Sequence, residues 1–317
     1  MTEYQAAHES AALFDLSDRA KIELAGRDAR EFLHNLCTQD VKNLPVGETR
    51  EAFLTTTKAR VIAHVWILHR ETNVLWLDMA VGQAEKVLAH LNHFLISEQV
   101  EVTDRTSEIG MLRLVGPKAA ELLTRAAIPP SRQNRLLPLD GLDLFCPTAE
   151  VGAVKQRLID AGATPAGAET YPILRIEAGL PEFGIDIDEN RLAVEVNRTA
   201  QAISYTKGCY LGQETIVMAR DRGQVNRLLM GIKVRSEPER QRGIVTPGTK
   251  LLRGSDEIGH VTSSVFSPKL QAVIALAYLR RGNWEPGTEL VIDPTTDGRG
   301  AIVCSLPFVS EPDRTMP

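Results

Sequence analysis

Between Gly26 and Cys37 the apolar residues Ala29, Phe32, Leu33 and Leu36 recur every three or four positions, the spacing that lays one stripe along an α-helix. The period then changes. Residues Glu51–Thr55, Val61–Leu68 and Val74–Asp78 are short strand-like runs. Helical spacing returns from Gly82 to Leu95 through Val87, Leu88, Leu91 and Leu95, with Lys86 and His90 on other faces. Met111–Val115 reads as a further strand, and Gly116-Pro117 opens a helix that runs through Leu122 and Leu123.

After Asn226 the character shifts to short strands separated by Gly and Pro turns: Leu228–Val234, Lys250–Leu252, Ile258–Val265, Ala272–Leu279, Glu289–Ile292 and Ala301–Leu306. This pattern predicts a small β-barrel. Pro247-Gly248-Thr249-Lys250-Leu251 is echoed 39 positions later by Pro286-Gly287-Thr288-Glu289-Leu290, so two similar hairpin-sized units are expected; two copies are too few for a solenoid. Strands and helices do not alternate regularly, which favours α+β with mostly antiparallel sheets over a doubly wound parallel sheet. Neither a GxGxxG nor a Walker loop is present. The expected division is a body over residues 1–225 and a barrel over 226–317. The small-residue stretch Ala161–Thr170 is either a seam inside the body or a surface loop.

With 317 residues, 43% hydrophobic and 24% charged, the chain has ample material for two or three packed subdomains. No apolar run reaches the roughly 20 residues of a membrane-spanning helix, and the first residues lack a basic leader pattern, so a cytoplasmic address is expected. Cys37, Cys146, Cys209 and Cys304 show neither zinc-knuckle nor CxxC spacing, which argues against a disulfide framework. A formal charge of -5 and 5% aromatic residues disfavour a nucleic-acid binder, despite the local run of Arg220, Asp221, Arg222 and Arg227.

Three constellations bear on chemistry. In KGCYLGQE, Lys207 to Glu214, a cysteine stands between a cation and an expected helix start at Gln213; both neighbours favour thiolate. The alternative is a small buried hydrophobe beside a solvated lysine. Second, Glu177 in LRIEAGL, if turned inward, needs donors, and an amino-pyrimidine edge such as a pterin offers two parallel N–H groups; internal pairing with Arg175 or helix capping is the competing reading. Third, His34 and Cys37 share a helix face but lack further ligands, so core packing explains them better than a metal.

KGCYLGQE at 207–214 followed by RGQVNR at 222–227 resembles the signature of the YgfZ-type folate-binding proteins, in the superfamily of the aminomethyltransferase, the glycine cleavage T-protein. HNLCTQDV at 34–41, TTKARVIAHV at 56–65, LRIEAGLPEFGIDID at 174–188, VTSSVFSP at 261–268 and IALAYLRR at 274–281 resemble the same superfamily. The resemblance implies ferredoxin-like α+β subdomains around a central channel that takes tetrahydrofolate, with a C-terminal barrel. It implies a pterin-holding role for Glu177. Arg175, Tyr210 and Arg222 complete the expected folate-contacting set, and Cys209 with Lys207 is the expected reactive pair. A transferase aspartate that orients folate N5 maps onto Ala63 and His64 here, so the carboxylate is missing and His64 is left to handle protons. Two activities follow from the resemblance: a folate-dependent accessory protein for iron–sulfur client proteins, including tRNA-modifying enzymes, or a tetrahydrofolate-dependent aminomethyltransferase.

Overall fold

The structure is a computed structural model that describes residues 1–309 apart from 135–138, 140, 224 and 236–242, and leaves out the side chains of Gln133, Asn134 and Arg222. In chain order its first elements are α1 (Glu3–Glu9), β1 (Ala12–Asp15), β2 (Ala20–Ala25), α2 (Ala29–Leu36), β3 (Thr49–Thr55), β4 (Val61–Glu71), β5 (Val74–Met79) and α3 (Ala84–Phe94). These are followed by β6 (Glu101–Asp104), β7 (Ile109–Val115), α4 (Ala119–Arg125), β8 (Arg132–Asn134), β9 (Gly141–Pro147), α5 (Val151–Asp160) and β10 (Thr164–Ala166). Next come α6 (Thr170–Glu177), α7 (Thr199–Ala202), α8 (Gln213–Arg222), β11 (Arg227–Val234), β12 (Lys250–Arg253), β13 (Asp256–Ser267), β14 (Ala272–Arg280), β15 (Glu289–Ile292) and β16 (Gly300–Cys304).

The chain separates into two compact units. One holds Met1–Arg135, Leu139–Gly167 and Arg198–Val217; the other holds Ala168–Asn197 and the chain from Met218 onward. The division at Gly167 falls inside the stretch read as seam or loop, but that stretch is not all connector. Thr164–Ala166 pairs in parallel with β1, through Ala12 opposite Thr164.

The first unit contains two five-stranded sheets, ordered β3-β4-β5-β2-β6 and β10-β1-β7-β9-β8. Strand alternation decides what each face does. On β4, Ala63, Val65 and Ile67 join Leu75, Leu77 and Met79 of β5 in a core with Phe32, Leu33 and Leu36 of α2 and Val87 and Leu91 of α3. The second sheet packs Leu13, Leu112, Leu114 and Leu144 with Leu122 and Leu123 of α4 and Leu158 of α5. The two sheets are also joined by ion pairs that no local pattern foretells. Asp78 of β5 accepts from Arg19 and Arg132, and Asp143 of β9 accepts from Arg132 and Arg113. Burial alone would raise the pKa of Asp78; Arg19, Arg132 and Arg113 overcome that and hold it well below the usual carboxylate range.

The second unit is built on a closed barrel ordered β11-β14-β13-β12-β15-β16. Its interior is aliphatic, filled by side chains such as Ile232, Leu251, Val261, Leu279, Ile292 and Val303. The alternate residues Leu229, Ile274, Leu276 and Tyr278 pack outside with Ile176 of α6. The echoed Pro-Gly-Thr segments explain how the barrel closes. Gly248 and Gly287 sit at φ +85° and +89°, a conformation that a side chain disfavours, and each turn then feeds a strand edge. Gly248 N donates to Val261 O and Gly287 N to Val303 O, while β12 and β15 lie side by side.

Candidate functional site

On β4 the backbone sends Ala63 into the helix-packed core, so of the two residues that the resemblance pairs with the transferase aspartate only His64 lies on the opposite face. His64 is 2% exposed, with Phe53 stacked at 5.0 Å between ring centroids and Trp66 at 4.6 Å. Its Nε2 lies 2.8 Å from Oε1 of Glu51 on the neighbouring strand β3. The same carboxylate receives Arg198 through Nε at 2.8 Å and through Nη2. Burial alone would raise the pKa of Glu51; the hydrogen bond and charge of Arg198, then those of His64, bring it down to about 2. An ionised carboxylate can only accept, so a His64 proton sits on Nε2, facing Glu51.

Sequence reasoning reached His64 and missed its supports. Arg198 is 147 positions from Glu51, and the only local signal was a carboxylate opening an apolar strand.

Lys207 is placed differently from the expectation. Its ammonium is buried and donates to the carbonyl oxygens of His34, Cys37 (2.8 Å) and Gln39 (2.8 Å), closing the C-terminal end of α2. The same Nζ stands 4.8 Å from the centroid of the Tyr210 ring. Burial lowers the Lys207 pKa, an effect opposed by Cys37 and Asp40. Its charge therefore acts on the buried Cys37, whose pKa burial raises and Lys207 partly restores. The expected Lys207–Cys209 pair is corrected accordingly: the lysine is a structural clasp, because three carbonyls compete for its donors. Cys209 itself is exposed, four residues before α8 begins. Tyr210, expected at the folate, is 7% exposed and forms one wall of the lysine's seat.

Two glycines flank this thiol, and only one is constrained. A Cβ at Gly208 would meet nothing within 4 Å. Gly212, at φ +84°, would place one 2.7 Å from Thr55 Oγ1 and from Thr56 O. The loop is thus pinned at Lys207 and Gly212, with Thr55 Oγ1 also donating to Leu211 O at 2.9 Å, and the thiol lies between the pins.

In the second unit Glu177 ends α6 and is 2% exposed, its Oε1 accepting from Ser267 Oγ. Arg175 is not its partner. That guanidinium is 3% exposed and donates through Nη1 to Asp186 Oδ2 at 2.7 Å and to Leu180 O at 3.2 Å. Asp186 Oδ1 in turn accepts from Thr262 and Ser263 of β13. Arg175 is therefore committed to internal structure, which corrects its expected place in the folate-contacting set. Arg222 falls in α8, and its side chain lies outside the described residues. Arg220 donates to Asp221 at 2.6 Å, a solvated neighbour pair. His34 Nδ1 accepts from the amides of Val41 and Lys42, and Cys37 is fully buried, in keeping with core roles. Among the described residues no helix is long and apolar enough to cross a membrane.

Residues 1–134 match the family model of the GCVT N-terminal domain, and residues 227–310 match that of the glycine cleavage T-protein C-terminal barrel domain. The chain thus matches both domain models, and its mixed α+β architecture with a closed C-terminal barrel is the GcvT-like aminomethyltransferase fold. The aminomethyltransferase of Herpetosiphon aurantiacus is 28% identical over 97% of this chain and 89% of its own length. That of Rubrobacter xylanophilus is 29% identical over 87% and 78%. Among solved structures, the glycine cleavage system aminomethyltransferase T from Bartonella henselae matches with a TM-score of 0.88 at 24% identity, covering 98% of this chain and 89% of that one.

Proposed function

We propose that the protein is a tetrahydrofolate-dependent one-carbon transferase of the aminomethyltransferase type, with an imidazole where the resemblance places the transferase aspartate. The observation that carries this reading is the His64–Glu51–Arg198 chain: a carboxylate that the position itself lacks stands on the adjacent strand, 2.8 Å from His64. Glu51 fixes the ring and its tautomer, which leaves His64 Nδ1 able to accept a proton. Arg198 keeps Glu51 ionised, so that it holds the ring through Nε2 as an acceptor.

In the other unit, Glu177 is the carboxylate assigned to the pterin edge. Its chemistry fits: a buried carboxylate is an acceptor, as its bond from the Ser267 hydroxyl shows, and an amino-pyrimidine edge offers the complementary N–H donors. Tetrahydrofolate, when bound, supplies the secondary amine that takes up the one-carbon unit. What this chain contributes is an acceptor for the pterin N–H groups and a positioned imidazole.

The test is turnover with an aminomethylated lipoyl carrier protein and tetrahydrofolate. Wild type is expected to release ammonia and form methylenetetrahydrofolate, and His64→Ala to lose about 100-fold or more, the usual scale of acid–base catalysis. No turnover by the wild-type protein with folate binding intact would reject the transferase reading.

A second reading, support of iron–sulfur client proteins, is favoured by one observation: Cys209 is exposed on a loop pinned on both sides. Cys209→Ser is expected to leave folate affinity unchanged and to abolish rescue of iron–sulfur enzyme activity in cells lacking the protein. Full rescue by that variant removes the thiol from the account.

A further inference from the structure

Where the β4–β5 hairpin of the first unit approaches β8 and β9, a cavity of about 210 Å³ is lined by Gly47, Leu68, Arg70, Trp76, Ser131 and Phe145. No residue assigned above to one-carbon chemistry lines it. Three features describe what it takes.

Three of its lining side chains, Leu68, Trp76 and Phe145, are apolar. Leu68 and Trp76 are cross-strand partners, and Phe145 stands edge-on to Trp76, 5.4 Å between centroids at 89°. Trp76 is fixed by its indole N–H, which donates to Glu23 Oε2 at 2.8 Å. At 210 Å³ the space is below the roughly 300–1,000 Å³ of sites for drug-sized ligands, and suits a single ring.

Its charge is positive. Arg70 is exposed and lies over the Trp76 ring at 3.9 Å, and it has no hydrogen bond or ion pair to any described residue. The carboxylate of Glu23 is hydrogen-bonded by Trp76 and Arg105 and feels the Arg70 charge only through space. Behind the Phe145 wall, Arg132 lies 5.0 Å from that ring's centroid, 4% exposed, and its Nη1 is buried with no partner among the described residues. The buried cluster to which Arg132 belongs pairs Arg19, Arg113 and Arg132 with Asp78 and Asp143. The unpartnered Nη1 of Arg132 adds a buried donor behind that wall.

Its donors suit a carboxylate and not a phosphate. A phosphate cradle needs several converging backbone N–H groups, and here the Gly47 amide is spent on His69 O. An arginine fork seated over a tryptophan ring is the complement of a planar carboxylate.

We propose that this cavity binds a small aromatic carboxylate, with its ring against Leu68, Trp76 and Phe145 and its carboxylate on Arg70. The proposal is independent of the one-carbon reading, since folate turnover and binding here are scored separately.

The probe is benzoate, followed by NMR on the Trp76 indole N–H, with benzamide as the uncharged ring and inorganic phosphate as the ringless anion. Saturable benzoate binding at about 1 mM or tighter is expected, at least about tenfold weaker for benzamide and for Arg70→Gln, and no saturation by phosphate. Arg70 is exposed, so its substitution leaves the fold intact; Trp76→Leu, checked by urea unfolding, serves as the ring-wall variant and is expected to abolish binding. Absent benzoate binding, equal affinity for benzamide, saturation by phosphate, or indifference to either substitution would each overturn the proposal.

Discussion

Lys207→Met separates a structural lysine from a thiol-activating one. Methionine keeps most of the buried stem but removes the ammonium, and with it the donors to His34, Cys37 and Gln39 carbonyls. A hydrogen bond to a charged group contributes about 1.5–3 kcal/mol, and a buried acceptor left without a donor costs about 1–3 kcal/mol. The wild-type ammonium also bears a desolvation cost, evident in its lowered pKa, so the three losses do not simply add. A net destabilisation of about 3–5 kcal/mol is expected, a large share of the roughly 5–15 kcal/mol by which domains are stable. Urea unfolding reads this directly. The companion assay is the rate at which Cys209 reacts with a disulfide reagent under native conditions, and it is expected to change less than about twofold because the lysine's charge is turned toward Cys37. Stability lowered by less than about 1 kcal/mol, or a tenfold fall in thiol reactivity without loss of stability, would refute the clasp.

Glu51 gives a pH-dependent prediction. Its folded pKa of about 2 lies below the ordinary 4.5, so its stabilisation is present above pH 4.5 and is lost as pH falls toward 2. The shift corresponds to about 3 kcal/mol, and a Glu51→Gln variant should show a correspondingly shallower acid decline in urea titrations; an unchanged slope would dismiss the pair. Gly212→Ala is expected to cost about 2–4 kcal/mol, since it combines a left-handed backbone with a Cβ 2.7 Å from Thr56 O, and thermal unfolding within about 0.5 kcal/mol of wild type would show that the loop yields.

Periodic segments with one dominant contact face were legible before any coordinates. Phe32, Leu33 and Leu36 announce α2 because an apolar stripe has to be covered, and the ends differ from the expected limits by only a few residues. The barrel strands were legible for the same reason, and the Pro-Gly-Thr echo marked its two equivalent turns, which require a positive φ. Segments whose pairing partner is distant were read less well. β10 looked like a connector because three small residues carry no pattern of their own, and it becomes a strand only beside β1.

By itself, then, the sequence determined the strongly periodic elements, α2 to α4, β3 to β5, β7 and the barrel strands, because local periodicity and turn chemistry act over a few residues. It also drew attention to Glu177, His64 and Cys209. Tertiary structure alone decided what the charged groups do. Lys207 found its acceptors 168 to 173 positions away, Arg198 reached Glu51 across 147, and Arg175 turned to Asp186 instead of Glu177. A long polar side chain chooses among all acceptors within its reach, and burial makes an unpaired choice costly. That choice depends on which backbones the fold brings together, a relation that spacing along the chain does not encode.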